Sequence, residues 1–158
     1  MTGEYRKQIS ERKRPKLTGR GKGHSFVQLP HYMLKSSQFR ALGGSALKLL
    51  MFLADQYNGK NNGDLSATKD MVEGTGVCAP SKVHTLLLEL EAAGFIVKTR
   101  HGTKKLCNLY ALTWCSIDEC DGKSLEIASG PPRNDWKKTE SVAPSGVLTG
   151  PLREPKAA

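Results

Sequence analysis

The hydrophobic period of this chain changes at Gly94, and that change restricts the fold more than any other feature. Upstream, Val83, Leu86, Leu87, Leu90 and Ala93 recur at the spacing of one helix face. Downstream, Phe95-Ile96-Val97-Lys98-Thr99-Arg100 reads as a strand and His101-Gly102-Thr103-Lys104-Lys105 as a tight basic turn. Residues 106–114 read as the returning strand, with Leu106, Tyr110, Leu112 and Trp114 on one face. Gly94 suits a helix that must stop abruptly, because glycine accepts the left-handed backbone that closes a helix.

Two further helices precede this junction. Leu47, Leu50, Met51, Ala54 and Tyr57 follow a helical period behind Gly43-Gly44-Ser45, with Ser45 the expected N-cap. The helix runs out in Asn58-Gly59-Lys60-Asn61-Asn62-Gly63, a loop of residues that tolerate unusual backbone angles. Asp64-Leu65-Ser66 is too short for anything but a small strand or a connector, and after it a second helix is expected over about 67–73, capped by Ser66 with Met71 and Val72 inward. Gly74-Thr75-Gly76 stops it, and a third helix is expected from 78–80, with Pro80 tolerated in its first turn. The fold class is therefore α+β, mainly α: three helices and a β-hairpin.

Charge divides the 158 residues into three parts. The first 24 carry eight Lys or Arg against two Glu and have almost no large apolar residues. Such a stretch cannot bury enough surface to offset its ordering entropy, so residues 1–25 are expected to be a disordered basic arm. Its candidate phosphate contacts are Arg12, Lys13, Arg14, Lys16, Arg20 and Lys22. Residues 119–158 hold six basic and six acidic residues and five of the eight prolines, and are expected to be a disordered tail. Residues 26–118 are left as the folded domain, with Trp136 in the tail as a candidate docking residue. The net charge of +9 favours a polyanionic partner.

No run approaches the roughly 18–20 apolar residues of a membrane span, and no apolar segment follows the basic N-terminus. A cytoplasmic protein without membrane association is expected. Cys78, Cys107, Cys115 and Cys120 include no CxxC pair, and their spacing with His84 and His101 fits no recurrent zinc pattern, so no metal is expected. Nor is an enzyme or a cofactor: there is no GxSxG elbow and no P-loop, and Gly19-Arg20-Gly21-Lys22-Gly23 lacks the strand and helix that phosphate loops need.

The order of elements, with Gly74-Thr75-Gly76-Val77 between two helices and Leu90-Glu91-Ala92-Ala93-Gly94-Phe95-Ile96 leading into the hairpin, resembles the winged helix-turn-helix family. Phe26-Val27-Gln28-Leu29-Pro30 and Ser45-Ala46-Leu47-Lys48-Leu49-Leu50 are similar to stretches in small winged-helix proteins of phages, plasmids and integrated elements. The resemblance spans residues 26–117 and implies a third helix in the major groove of double-stranded DNA and a hairpin wing on its backbone. Ser81, Lys82, His84 and Thr85, with Leu88 beside them, then become groove-facing candidates, although that side of the helix also reads as merely solvated. Lys98, Arg100, His101, Lys104 and Lys105 become wing contacts, or else a basic edge that discourages strand pairing. No arginine lies on the third helix, so affinity is expected to lean on arm and wing.

The function so implied is a DNA-binding regulator of transcription, or a replication-associated protein, of a mobile element. An RNA-binding protein, or an interaction module docking through the Trp136 tail, is the alternative.

Overall fold

The structure, a computed structural model, describes residues 26–141. The arm residues Arg12, Lys13, Arg14, Lys16, Arg20 and Lys22 lie outside the described residues, as do positions 142–158 of the tail.

The described chain is mixed α+β and mainly helical, with one two-stranded antiparallel hairpin. Its elements are α1 (His31–Leu34), α2 (Ser37–Ala41), α3 (Gly44–Asp55), α4 (Lys69–Val72) and α5 (Val83–Ala92), then β1 (Ile96–Arg100) and β2 (Leu109–Leu112). A single 3-10 turn occupies Pro80–Lys82, and a longer 3-10 helix spans Asp135–Ser141. The three expected helices are α3, α4 and α5. The expected number is nonetheless corrected, because α1 and α2 precede them. Each is too short to show a hydrophobic period, and α2 rests on a local cap, the Ser36 hydroxyl accepting from the Phe39 N–H at 3.2 Å.

Two helix boundaries differ from the expected caps. α3 begins at Gly44 rather than after Ser45, since the Gly43 carbonyl already accepts from Leu47 at 2.9 Å. Ser66 does not cap α4. The Gln56 carboxamide holds both its backbone groups, donating to the Ser66 carbonyl at 2.9 Å and accepting from its N–H at 3.1 Å. That grip keeps Ser66 out of the helix, and Thr68 caps instead, accepting from Met71 N–H at 3.2 Å. Met71 is consequently exposed, and Val72 alone turns inward from α4.

α3 and α5 pack together at the centre. Leu49, Leu50 and Leu53 meet Val83, Leu86, Leu87 and Leu90 in one cluster that extends to Phe95, Ile96, Tyr110, Leu112 and Trp114. The buried face expected on α5 is the one observed. β2 departs from simple alternation: all four of its residues are buried, so both faces of the strand are covered. Leu106 does not belong to it. Residues 103 and 106 bridge to each other and close the turn, which leaves Leu106 exposed. The register slips between Lys98 and Arg100, so Thr99 has no partner on β2 and its hydroxyl donates to the Gly63 carbonyl at 2.6 Å.

Asn62, in the loop after α3, is fully buried and acts as a polar pin. Its carboxamide accepts from the Leu112 N–H at 2.7 Å and donates to the Ser116 and Leu112 carbonyls at 2.8 and 3.0 Å. These bonds fix the loop to the end of β2.

The tail expectation is corrected most. The chain beyond residue 118 returns across the hairpin: Ile117 and Gly130 form a bridge, and the Glu126 N–H donates to the Thr99 carbonyl at 2.7 Å. The Asn134 N–H then donates to the Thr113 carbonyl at 2.8 Å, and Trp136 enters the main cluster, stacked on Phe95. Trp136 is 3% exposed, so it is a core residue and not a free docking handle. Gly94 makes room for it. Its φ is +79°, and a Cβ there would stand 2.4 Å from the Trp136 backbone nitrogen.

Candidate nucleic-acid interface

The turn between α4 and α5 depends on two glycines with positive φ, Gly74 and Gly76. The Thr75 hydroxyl fastens it by donating to the Val72 carbonyl at 2.6 Å. The chain then passes through Pro80–Lys82 before α5 begins at Val83, so Ser81 and Lys82 stand just ahead of the helix rather than inside it. Ser81, Lys82, His84, Thr85 and Leu88 are all exposed, while Val83, Leu86, Leu87 and Leu90 are buried.

The start of α5 and the hairpin turn face each other across a groove of about 360 Å³. Val83, His84 and Leu87 line one wall; Gly102, Thr103, Leu106, Cys107 and Asn108 line the other; Ala67, Thr68 and Lys69 at the start of α4 complete it. His84 is thus brought against the turn that carries Lys104 and Lys105. Ser81, Lys82 and Thr85 do not line the groove. Sequence reasoning missed Lys69, exposed on the groove wall. Its signal was its position one residue after the true cap, Thr68.

The five basic groups of the hairpin are not equivalent. Lys98 is paired with Glu91 at 3.6 Å, and its side chain is only 17% exposed. Arg100 folds back across the hairpin, donating to the Cys107 carbonyl at 3.2 Å, with its Nε buried. His101 is held by Glu126, from its backbone N–H at 2.8 Å and from its ring at 2.5 Å. These bonds, the backbone one foremost, hold the Glu126 carboxyl below the usual carboxylate range. Lys104 and Lys105 are exposed, with no ion-pair partner among the described residues. Hydropathy and charge counts cannot separate the two classes, because Glu126 reaches His101 only through the returning tail.

Burial pushes the Cys115 and Cys120 thiols up, toward the protonated form that is a poor metal ligand and nucleophile. No helix among the described residues is long and apolar enough to cross a membrane. Compared with protein-family models, curated proteins and solved structures, the chain matches none.

Proposed function

We propose that this chain is a duplex-DNA-binding protein of the winged helix-turn-helix type, serving as a regulator or replication-associated protein of a mobile element. α5 enters the major groove, the hairpin turn lies on the phosphate backbone, and the basic arm adds affinity. One observation carries this reading: His84 at the start of α5 and the hairpin turn that carries Lys104 and Lys105 border one open groove, while Val83, Leu86, Leu87 and Leu90 hold the helix in the core. A helix presented in that way, start outward and beside a basic hairpin, has the geometry for base edges on one side and phosphates on the other. Lys82 and His84 supply the donors nearest the helix start, with Ser81 and Thr85 beside them; Lys69 joins them from α4. Lys98, Arg100 and His101 are occupied by Glu91, Cys107 and Glu126, so the wing contributes chiefly through Lys104 and Lys105.

The test is a selection of bound sequences from random duplexes, followed by binding at fixed salt to the selected site and to a scrambled one. Lys82→Ala and His84→Ala are expected to reduce discrimination by about 1–3 kcal/mol where a base contact is lost. Lys104→Ala and Lys105→Ala are expected to weaken both duplexes alike and to lower the salt slope by about 0.9 for each phosphate contact removed. The assignment of α5 fails if the wing substitutions change the preference and the helix substitutions do not. Equal binding of structured RNA would replace duplex DNA as the target.

A further inference from the structure

The opposite end of α5 carries a different kind of surface. Trp136 packs beside Gly94, directly after the helix, and α5 has 10 residues, so this surface lies roughly 15 Å along the helix axis from the groove. Tyr32, Lys35, Ser36, Trp136 and Lys137 line a shallow depression there. Tyr32 on α1 is 52% exposed, although it is stacked on Trp136 with ring centroids 5.6 Å apart and planes at 25°.

The position of Lys137 decides which face of Tyr32 is open. Its Nζ lies 4.8 Å from the Tyr32 centroid and 5.4 Å from the Trp136 centroid. With the rings 5.6 Å apart, the three points form a nearly equilateral triangle. Had Lys137 and Trp136 lain on opposite faces of Tyr32, the ammonium would be far more distant from Trp136. Both therefore sit on the same side of the tyrosine ring, and about half of the residue's surface remains exposed. The tyrosine is held flat by the tryptophan beneath it, which lowers the entropy lost when a ligand stacks on it.

The α-helices beside Tyr32, α1 and α2, carry basic residues and no acid. No Asp or Glu occurs from residue 26 to residue 54, whereas Lys35 and Arg40 do, and both are exposed. Asp135, the acid next to Trp136, is already neutralised by Arg133 at 2.8 Å and Lys138 at 2.9 Å. An occupant of this patch must offer a flat π-face and negative charge close together. Unpaired nucleotides do so; a duplex does not, because its base faces are stacked away.

We propose that the Tyr32–Lys35–Lys137 patch is a stacking platform for single-stranded nucleic acid, separate from the groove beside α5. A base stacks on the exposed face of Tyr32, Lys35 holds a flanking phosphate, and Lys137 adds positive potential from the Trp136 side of the ring. The platform does not depend on duplex recognition by α5.

The experiment uses the full chain with oligo-thymidine and oligo-uridine, and a thymidine oligomer carrying one 2-aminopurine. Tyr32→Ala is expected to weaken binding about tenfold, as loss of one stacked base does, and to abolish 2-aminopurine quenching. Tyr32→Phe should retain both, and Tyr32→Leu, which preserves apolar packing on Trp136 without a π-face, should lose both. Lys35→Ala should lower the salt slope by about 0.7, the single-strand value for one phosphate. Unchanged oligomer binding and quenching in Tyr32→Leu overturns the proposal. So does a Tyr32 dependence seen only with phosphatidylserine vesicles, which would make the patch a lipid-headgroup site.

Discussion

The two ends of α5 are built for opposite purposes. At its start the helix is left open: Lys82, His84 and Thr85 are exposed, and nothing among the described residues covers them. At its end the helix is sealed, since Gly94 and Phe95 are overlaid by a segment some forty residues further along, with Trp136 driven into the cluster. A polar helix start left open costs little, because water satisfies its groups as well as protein does. An apolar helix end left open would expose the Phe95 ring, so there the fold recruits remote sequence. The comparison teaches that stability should track the closed end and binding the open one.

The sharpest way to break that comparison is Trp136→Ala. Removal of a buried tryptophan is expected to destabilise the domain by about 3–5 kcal/mol, read as a lowered midpoint in thermal or urea unfolding. Were the midpoint to stay put, the tail would not be part of the cooperative unit. Gly94→Ala comes next, at about 3 kcal/mol, because the new methyl group meets the Trp136 backbone in a residue already at positive φ. Combining the two should cost less than their sum, since both act on the same tail contact. At the open end, Lys82→Ala and His84→Ala should move the unfolding midpoint by no more than about 0.5 kcal/mol while altering duplex discrimination. A large stability loss there would show that the start of α5 is structural after all.

The smallest effect expected is at the Glu126–His101 contact, which ties the tail to the hairpin. The Glu126 carboxyl is held below its ordinary range in the folded state. Its contribution to stability is therefore complete above the ordinary carboxylate pKa and is lost as pH falls through the lowered one. Glu126→Gln should flatten the acid limb of the stability profile slightly and free His101 for phosphate. Identical acid limbs in the two proteins would remove Glu126 as a fastening of the tail.

Much of this was legible in the residues. The face Val83, Leu86, Leu87 and Leu90 follows from periodicity alone, since a helix that buries one side must repeat its apolar residues on it. Gly94 was legible as a stop because its backbone angle is a local matter. The Gly74–Gly76 turn was legible for the same reason. Of the candidates expected on the third helix, His84, Thr85 and Leu88 lie on the exposed side of α5, whereas Ser81 and Lys82 fall in the 3-10 turn before it; His84 lies on the groove wall. The hairpin's basic residues could not be told apart in the sequence. Lys98, Arg100 and His101 count as positive charges in a sequence, and whether a charge is free depends on acids at positions 91 and 126 that only folding brings near. Asn62 looked like one more loop residue because its three backbone partners lie some fifty positions away.

What the sequence determined by itself was the set of local decisions: where apolar residues repeat every three or four positions, where the period becomes two, and where glycine lets the backbone reverse. These depend on steric and hydration preferences within a few residues, and such preferences are written in the chain. The tertiary structure alone decided the fate of the tail. A segment rich in proline, glycine and paired charges shows no hydrophobic period, and composition reads it as solvated. It is packed onto the domain at Trp136 because Phe95 and Gly94 offer one large aromatic side chain a place to be buried. Burial of a single tryptophan is worth several kcal/mol, about enough to hold a short stretch of chain in place, and no local pattern reports that the site exists.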